Sequence, residues 1–339
     1  MVDISITQQS SCYTFEQLNH STYKVVQHDS FNDLPFIYVK VYETVLVLVD
    51  TGSGPNYCRN PTVQSKNIRP FIEAHLAKNG QLAYSDPEGK TLNKKWLVFI
   101  THSHYDHIGG ITEFTDDSEI YVSGNDKDYV LHDLGCHSLC CAIGMETPKF
   151  EVTHWLQHNE RLSYNGVDLG LEALLTPGHT PDEIALYDIN EHVLFTGDSL
   201  YETIPIYIID TSDMVEYIKS MEFLLEYIKA KNTELTSLGI RVTTAAGHVT
   251  DTADTEILLQ EAIDCYWDTL NGKSTLTERI YMRKLNVGIY MNAKRNVGFL
   301  CIDEKLEAAI KHFKTNWELP PKPDPETAPS LPSYAVLTD

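Results

Sequence analysis

The sequence predicts an α/β protein whose strands deliver polar residues from their ends. Three observations predict it. Apolar, β-branched runs of strand length alternate with segments of helical periodicity. Several of those runs pass directly into turns that carry histidine or aspartate. Hydrophobic residues make up 42% of 339 positions, enough for a sizeable core in a globular rather than disordered composition.

The elements follow in order. Residues 36–42 and 45–49 are two β-branched runs joined by a short polar turn, and they read as a hairpin. The second run ends in Asp50-Thr51-Gly52-Ser53-Gly54, which is turn chemistry. Ile68, Phe71, Ile72 and Leu76 recur at helical spacing within 65–78. Residues 96–100 form a continuous apolar run, the mark of a buried strand. The stretch 124–156 has weak periodicity. Short strands are expected around Leu162, over 169–175, 184–187 and 193–196, and over 241–245. Over 212–230, Met214, Val215, Ile218, Met221, Leu225 and Ile228 line one helical face. A further helix starts near Thr252, with Leu258, Ala262 and Cys265 inward. The expected organisation is one domain over 1–318, followed by a tail over 319–339 that contains six prolines. Within the domain, 124–156 is a candidate lid, and 274–318 a C-terminal elaboration forming a substrate wall or a homodimer surface.

The charge balance excludes some functions. With 26 Lys+Arg against 48 Asp+Glu, the formal charge is -22. A surface that acidic repels phosphate backbones and anionic lipid heads, so neither nucleic acid nor membrane is an expected partner. The first seven residues lack the basic start and long apolar run of a signal peptide. Nowhere is there a run of about 18 apolar residues, the length needed to span a bilayer. Seven cysteines, an odd number, suit reduced thiols. The expected location is the cytoplasm. Cys136, His137, Cys140 and Cys141, with His132 nearby, form no pair of CxxC motifs, and covered thiols are expected there rather than a second metal site.

The informative stretch is Thr101-His102-Ser103-His104-Tyr105-Asp106-His107-Ile108-Gly109-Gly110. Residues two apart in extended chain point the same way, so His102 and His104 can grip one cation. Where the chain then turns helical, Asp106 and His107 face a second position beside it. Imidazole and carboxylate are usual zinc ligands. Three more candidates each sit just past a short strand and directly after a glycine: Gly178-His179, Gly197-Asp198 and Gly247-His248.

This order of residues resembles the metallo-β-lactamase superfamily, from about Leu34 to His248. The resemblance implies a four-layer αβ/βα sandwich of mixed sheets with helices on the outer faces. It also implies that His102, His104 and His179 hold one metal, that Asp106, His107 and His248 hold another, and that Asp198 bridges the two. Asp50 matches a position that supports the ligand histidines from behind. Two zinc ions are expected, although His/Asp donors also accept iron or manganese. Their chemistry is hydrolysis by a metal-bridging hydroxide, with Asp106 orienting the nucleophile. Tyr201, three positions after Asp198, resembles a tyrosine of acyl-homoserine-lactone lactonases that meets the substrate carbonyl or departing alkoxide. The expected substrate is a small cyclic ester or amide, a lactone or lactam. A glyoxalase II-like thioesterase is the alternative, with Arg283-Lys284 or Lys294-Arg295 holding glutathione carboxylates. A non-catalytic metal-binding protein ranks last, because no ligand position is lost.

Overall fold

Strand-forming residues dominate both halves of the chain and assemble into two large sheets packed face to face. The computed structural model describes residues 11–282 and 284–313. The first sheet orders seven strands: Tyr13–Gln17, Thr22–Gln27, Phe36–Val41, Val45–Val49, Lys95–Phe99, Glu119–Ser123 and His154–Leu156. Its first four strands run antiparallel, and from Val45–Val49 onward the pairing is parallel. The second sheet orders six: Glu160–Tyr164, Val167–Leu175, Ile184–Asp188, Val193–Gly197, Thr243–Ala246 and Ala253–Asp254.

The continuous apolar runs are explained by what lies on either side of them. In Val45–Val49, Val45, Val47 and Val49 face the second sheet, while Leu46 and Leu48 face the opposite way toward the helix Ile68–Lys78. Val47, Leu97 and Phe99 meet Leu171, Leu186 and Phe195 between the sheets. On the far side of the second sheet, Leu174 and Leu194 pack against the helices Met214–Leu235 and Thr255–Leu270. The layer order is helix, sheet, sheet, helix, so the four-layer sandwich is the fold. Lys40 and Asp188 form a buried ion pair across the two sheets.

Several boundaries differ from the sequence expectation, each for a local reason. The first helix starts at Ile68, not Ser65, because the Glu113 carboxylate accepts from the Ile68 and Arg69 amides at 3.1 and 3.0 Å and caps it there. The long helix starts after Asp213, whose carboxylate accepts from Val215 and Glu216, and runs past residue 230 to Leu235. Its polar-looking last turn is anchored by Asn232, which accepts from the Val242 amide and donates to Glu256. The next helix starts at Thr255, since Ala253–Asp254 first pairs as a strand.

Over 274–313 the chain builds a third sheet, ordered Ile206–Ile208, Gly298–Ile302, Leu285–Met291 and Thr275–Met282, followed by the helix Asp303–Phe313. Tyr290, Phe299 and Cys301 on one face of this sheet join the core of the two long helices. Over 124–156 lie three short helices, Lys127–Leu131, Leu134–His137 and Cys140–Ile143. The proline-rich segment 319–339 and Arg283 lie outside the described residues. Among the described residues, no helix is long and apolar enough to cross a membrane.

Candidate metal centre

All seven expected side chains arrive at one end of the two sheets. His102 and His104 follow the strand Lys95–Phe99, and Asp106 and His107 lie on the single turn Tyr105–Ile108. Asp198 ends Val193–Gly197, while His179 and His248 follow Val167–Leu175 and Thr243–Ala246. Two donor sets result, His102/His104/His179 and Asp106/His107/Asp198/His248, each with its ligand atoms within 4.8 Å of one another.

The glycines before these residues are required by contact. A Cβ on Gly247 would stand 2.5 Å from Asp198 Oδ1 and 2.7 Å from His107 Cε1. At Gly197, φ is +51°, and a Cβ would meet Glu183 Oε1 at 2.4 Å.

Each histidine whose outer nitrogen is tied down keeps the other for the site. His179 Nδ1 donates to the Tyr207 carbonyl at 2.7 Å and His248 Nδ1 to the Asp33 carbonyl at 2.9 Å. Carbonyls only accept, so these contacts fix the tautomer and leave both Nε2 atoms as lone-pair donors. His107 Nδ1 lies 2.8 Å from Asp50 Oδ2, and Asp50 also accepts from the Thr101 amide and hydroxyl at 2.8 Å. His102 Nδ1 lies 3.5 Å from Glu183 Oε2.

Inside the cluster, His104 Nδ1 lies 3.0 Å from His102 Nε2 and 3.1 Å from His179 Nε2. Asp198 faces both sets, with Oδ1 at 3.4 Å from His107 Nε2 and 3.5 Å from His248 Nε2, and Oδ2 at 3.9 Å from His179 Nε2. Asp106 Oδ2 is 3.1 Å from His248 Nε2 and 3.6 Å from His107 Nε2. Tetrahedral ligands at about 2.0–2.1 Å from a cation stand about 3.3 Å apart, so this spacing suits a metal. His107 Nε2 and Asp198 Oδ1 are buried and have no hydrogen-bond partner. Converging lone pairs and orphaned buried acceptors fit a divalent cation in each set.

The electrostatics of the two sets differ. Burial lowers His102 and His179, and it lowers His104 to about 3, so these imidazoles are neutral. Burial acts the same way on His107 and His248, but the neighbouring carboxylates overcome it and raise both. Those two histidines in turn hold Asp198 well below the carboxylate range, against the effect of burial.

A cavity opens over the cluster. His104, Asp106, His179, Asp198 and His248 form its floor, and Leu139, Tyr201, Ile204, Tyr207 and Ile209 its apolar wall. Tyr201 lies edge-on to His248, with ring centroids 6.0 Å apart. Tyr105 lines the cavity too, and its hydroxyl donates to Asp33. Desolvation, then Asp106 and Asp29, push Asp33 up to about 7. Sequence reasoning missed Asp33, Glu183, Tyr207 and the isoleucines. Glu183 had a signal, an acid placed directly before the apolar run 184–187 and close behind His179.

Comparison with known proteins agrees with this architecture. A family model described as "Metallo-beta-lactamase superfamily" matches residues 35–235. A protein of Aspergillus versicolor named "Putative transcription factor avaE" is 29% identical over 267 residues, covering 77% of each chain. The hydroxyacylglutathione hydrolase of Idiomarina loihiensis is 31% identical over 105 residues, 31% of this chain and 32% of that enzyme. This chain therefore spans about a third of that enzyme's length. Among solved structures, the metallo-beta-lactamase from Pontibacter korlensis superposes with a TM-score of 0.51 at 12% identity, covering 76% of this chain and 99% of that one. The fold, the donor cluster and the match over most of the sandwich lead to one assignment: the chain belongs to the metallo-β-lactamase superfamily.

Proposed function

We propose that this metal-dependent hydrolase opens a small, uncharged cyclic ester or amide at a centre of two zinc ions, with Asp198 shared between them. The observation that carries this reading is the pair of donor sets lying under a wall of Leu139, Tyr201, Ile204, Tyr207 and Ile209. His102, His104 and His179 would hold one ion; Asp106, His107 and His248 would hold the other. Bound there, the ions would supply an activated water and polarise the substrate carbonyl. Asp50 keeps His107 in the tautomer that offers Nε2 inward. Asp106, at the cavity floor, accepts a hydrogen bond from the attacking water and orients it. Tyr201 donates its hydroxyl proton toward the carbonyl oxygen or the departing alkoxide. The apolar wall receives the hydrocarbon part of the substrate and excludes water.

A thioesterase is the second reading, favoured by the likeness to hydroxyacylglutathione hydrolases. Glutathione carries two carboxylates, and among the described residues no lysine or arginine lines this cavity. Lys294 is exposed, paired with Glu261 and not part of the cavity lining. The name of the Aspergillus relative points to DNA, which a chain of formal charge -22 repels.

The test is metal analysis of the full chain joined to a panel of uncharged lactones, lactams and glutathione thioesters. About two zinc ions per chain, with kcat/KM higher for a lactone or lactam than for any thioester, is the expected result. Faster thioester turnover would overturn the substrate assignment, and a chain purified without chelator that holds no metal would overturn the centre.

A further inference from the structure

Two thiols stand apart from the metal cluster and belong to none of the chemistry above. Cys136 and Cys141 are both exposed and free, and their Sγ atoms lie 3.8 Å apart. The expectation of covered thiols holds only for Cys140, which is buried. It packs with Tyr105 and Met145. The exposed pair therefore has no competing accessible sulfur beside it in this loop.

The loop between the two thiols belongs to the cavity wall. Leu139 lines the cavity, and at φ +64° it holds the left-handed conformation that L side chains disfavour. Asp133, before the first thiol, is also left-handed at φ +53°. The Leu139 amide donates to the Cys136 carbonyl at 3.0 Å. Next to it, the Ser138 carbonyl accepts the Tyr105 amide at 2.9 Å, and Tyr105 sits between His104 and Asp106. Covalent closure around Leu139 would therefore act on a segment hydrogen-bonded to the metal-binding turn.

We propose that Cys136 and Cys141 are a redox-modified dithiol that closes to an intrachain disulfide and fixes the Leu139 wall of the cavity. The oxidant is a small disulfide such as glutathione disulfide. One cysteine thiolate attacks a sulfur of the oxidant and releases one glutathione thiolate. The second cysteine then attacks the protein sulfur of the mixed disulfide and releases the other glutathione. The protein loses two electrons and two protons, and the oxidant becomes two glutathione thiols. Closure brings the sulfurs from 3.8 Å to about 2.05 Å, a small movement for two surface side chains on adjoining short helices. Hydrogen bonding to Asp133 and then to Cys141 raises the Cys136 thiol to about 11, so attack by Cys136 itself is slow at neutral pH and quickens as pH rises.

The experiment incubates the metal-loaded full chain with excess glutathione disulfide and compares it with the reduced protein. The accessible thiol count should fall by two without denaturant, and the tryptic peptide 128–149 should lose two hydrogens. Cys136→Ser and Cys141→Ser should each instead take up one glutathione. Amide exchange at Leu139 and Tyr105, read independently of activity, should slow by about threefold or more on oxidation and recover with dithiothreitol. Wild-type protein that stops at a glutathione adduct would overturn the disulfide. Exchange rates at both amides that ignore oxidation would overturn its link to the wall.

Discussion

The two donor sets are built from the same side chain, yet their histidines titrate in opposite directions. Around His102, His104 and His179 burial dominates and keeps the rings neutral. Around His107 and His248 the carboxylates of Asp106 and Asp198, with Asp50 behind His107, outweigh the same burial. The difference teaches that the first set would attract a cation with three lone pairs and only the shared Asp198 carboxylate, whereas the second would attract it with more charge. A proton is then a weak competitor at the first set and a strong one at the second.

The severest way to break this contrast is to remove the residue the two sets share. Asp198→Ala should abolish the difference by emptying both, with metal content falling and kcat/KM dropping at least about 1000-fold, or about 4 kcal/mol of barrier. Asp50→Ala acts on the charged set alone. It leaves His107 Nδ1 without its acceptor and should weaken the second metal about 10–100-fold in a chelator titration, with the first retained. Acidification should sharpen the contrast without mutation. The raised histidines hold protons at a higher pH than the lowered ones, so as pH falls from about 7.5 to about 5.5 the Asp106/His107/His248 side should lose metal first. Stoichiometry measured after dialysis should pass through one ion per chain; simultaneous loss of both would contradict the electrostatic difference. Tyr201→Phe should have the smallest effect. It lies beyond both sets, so metal content should stay constant while kcat falls about tenfold on a lactone.

The individual elements and the ligand-bearing strand ends were legible because they depend on local pattern, whereas the four-layer sandwich followed from the family resemblance. The run 96–100 reads as a buried strand, and the helix face from Met214 to Ile228 reads as a core stripe. His102 to His107 reads as a cluster because neighbours in sequence are neighbours in space. What was not legible is supplied from a distance or by the backbone. Asp33 holds His248 through a main-chain carbonyl, a contact that any residue at that position could make. The start of the helix at Ile68 depends on Glu113, from a turn beyond an intervening hairpin. Tyr207 and Ile209 face the cavity while Ile206 and Ile208 face the core, an alternation that appears only once the segment is known to be a strand. Its partner Gly298–Ile302 lies in the C-terminal elaboration, whose composition does not choose between a substrate wall and a dimer surface.

That pairing sets an order of events during synthesis. Tyr207 stands opposite Leu300 in the register of the third sheet, and every donor of the cluster up to His248 leaves the ribosome before Leu300 does. A nascent chain can thus gather its cations while the side of the cavity that receives the substrate is still unpaired. Loss of that strand should consequently leave Tyr207 unpaired and uncover the helical core that Tyr290, Phe299 and Cys301 complete, so the part of the chain made last decides both the shape of the cavity wall and whether the fold closes.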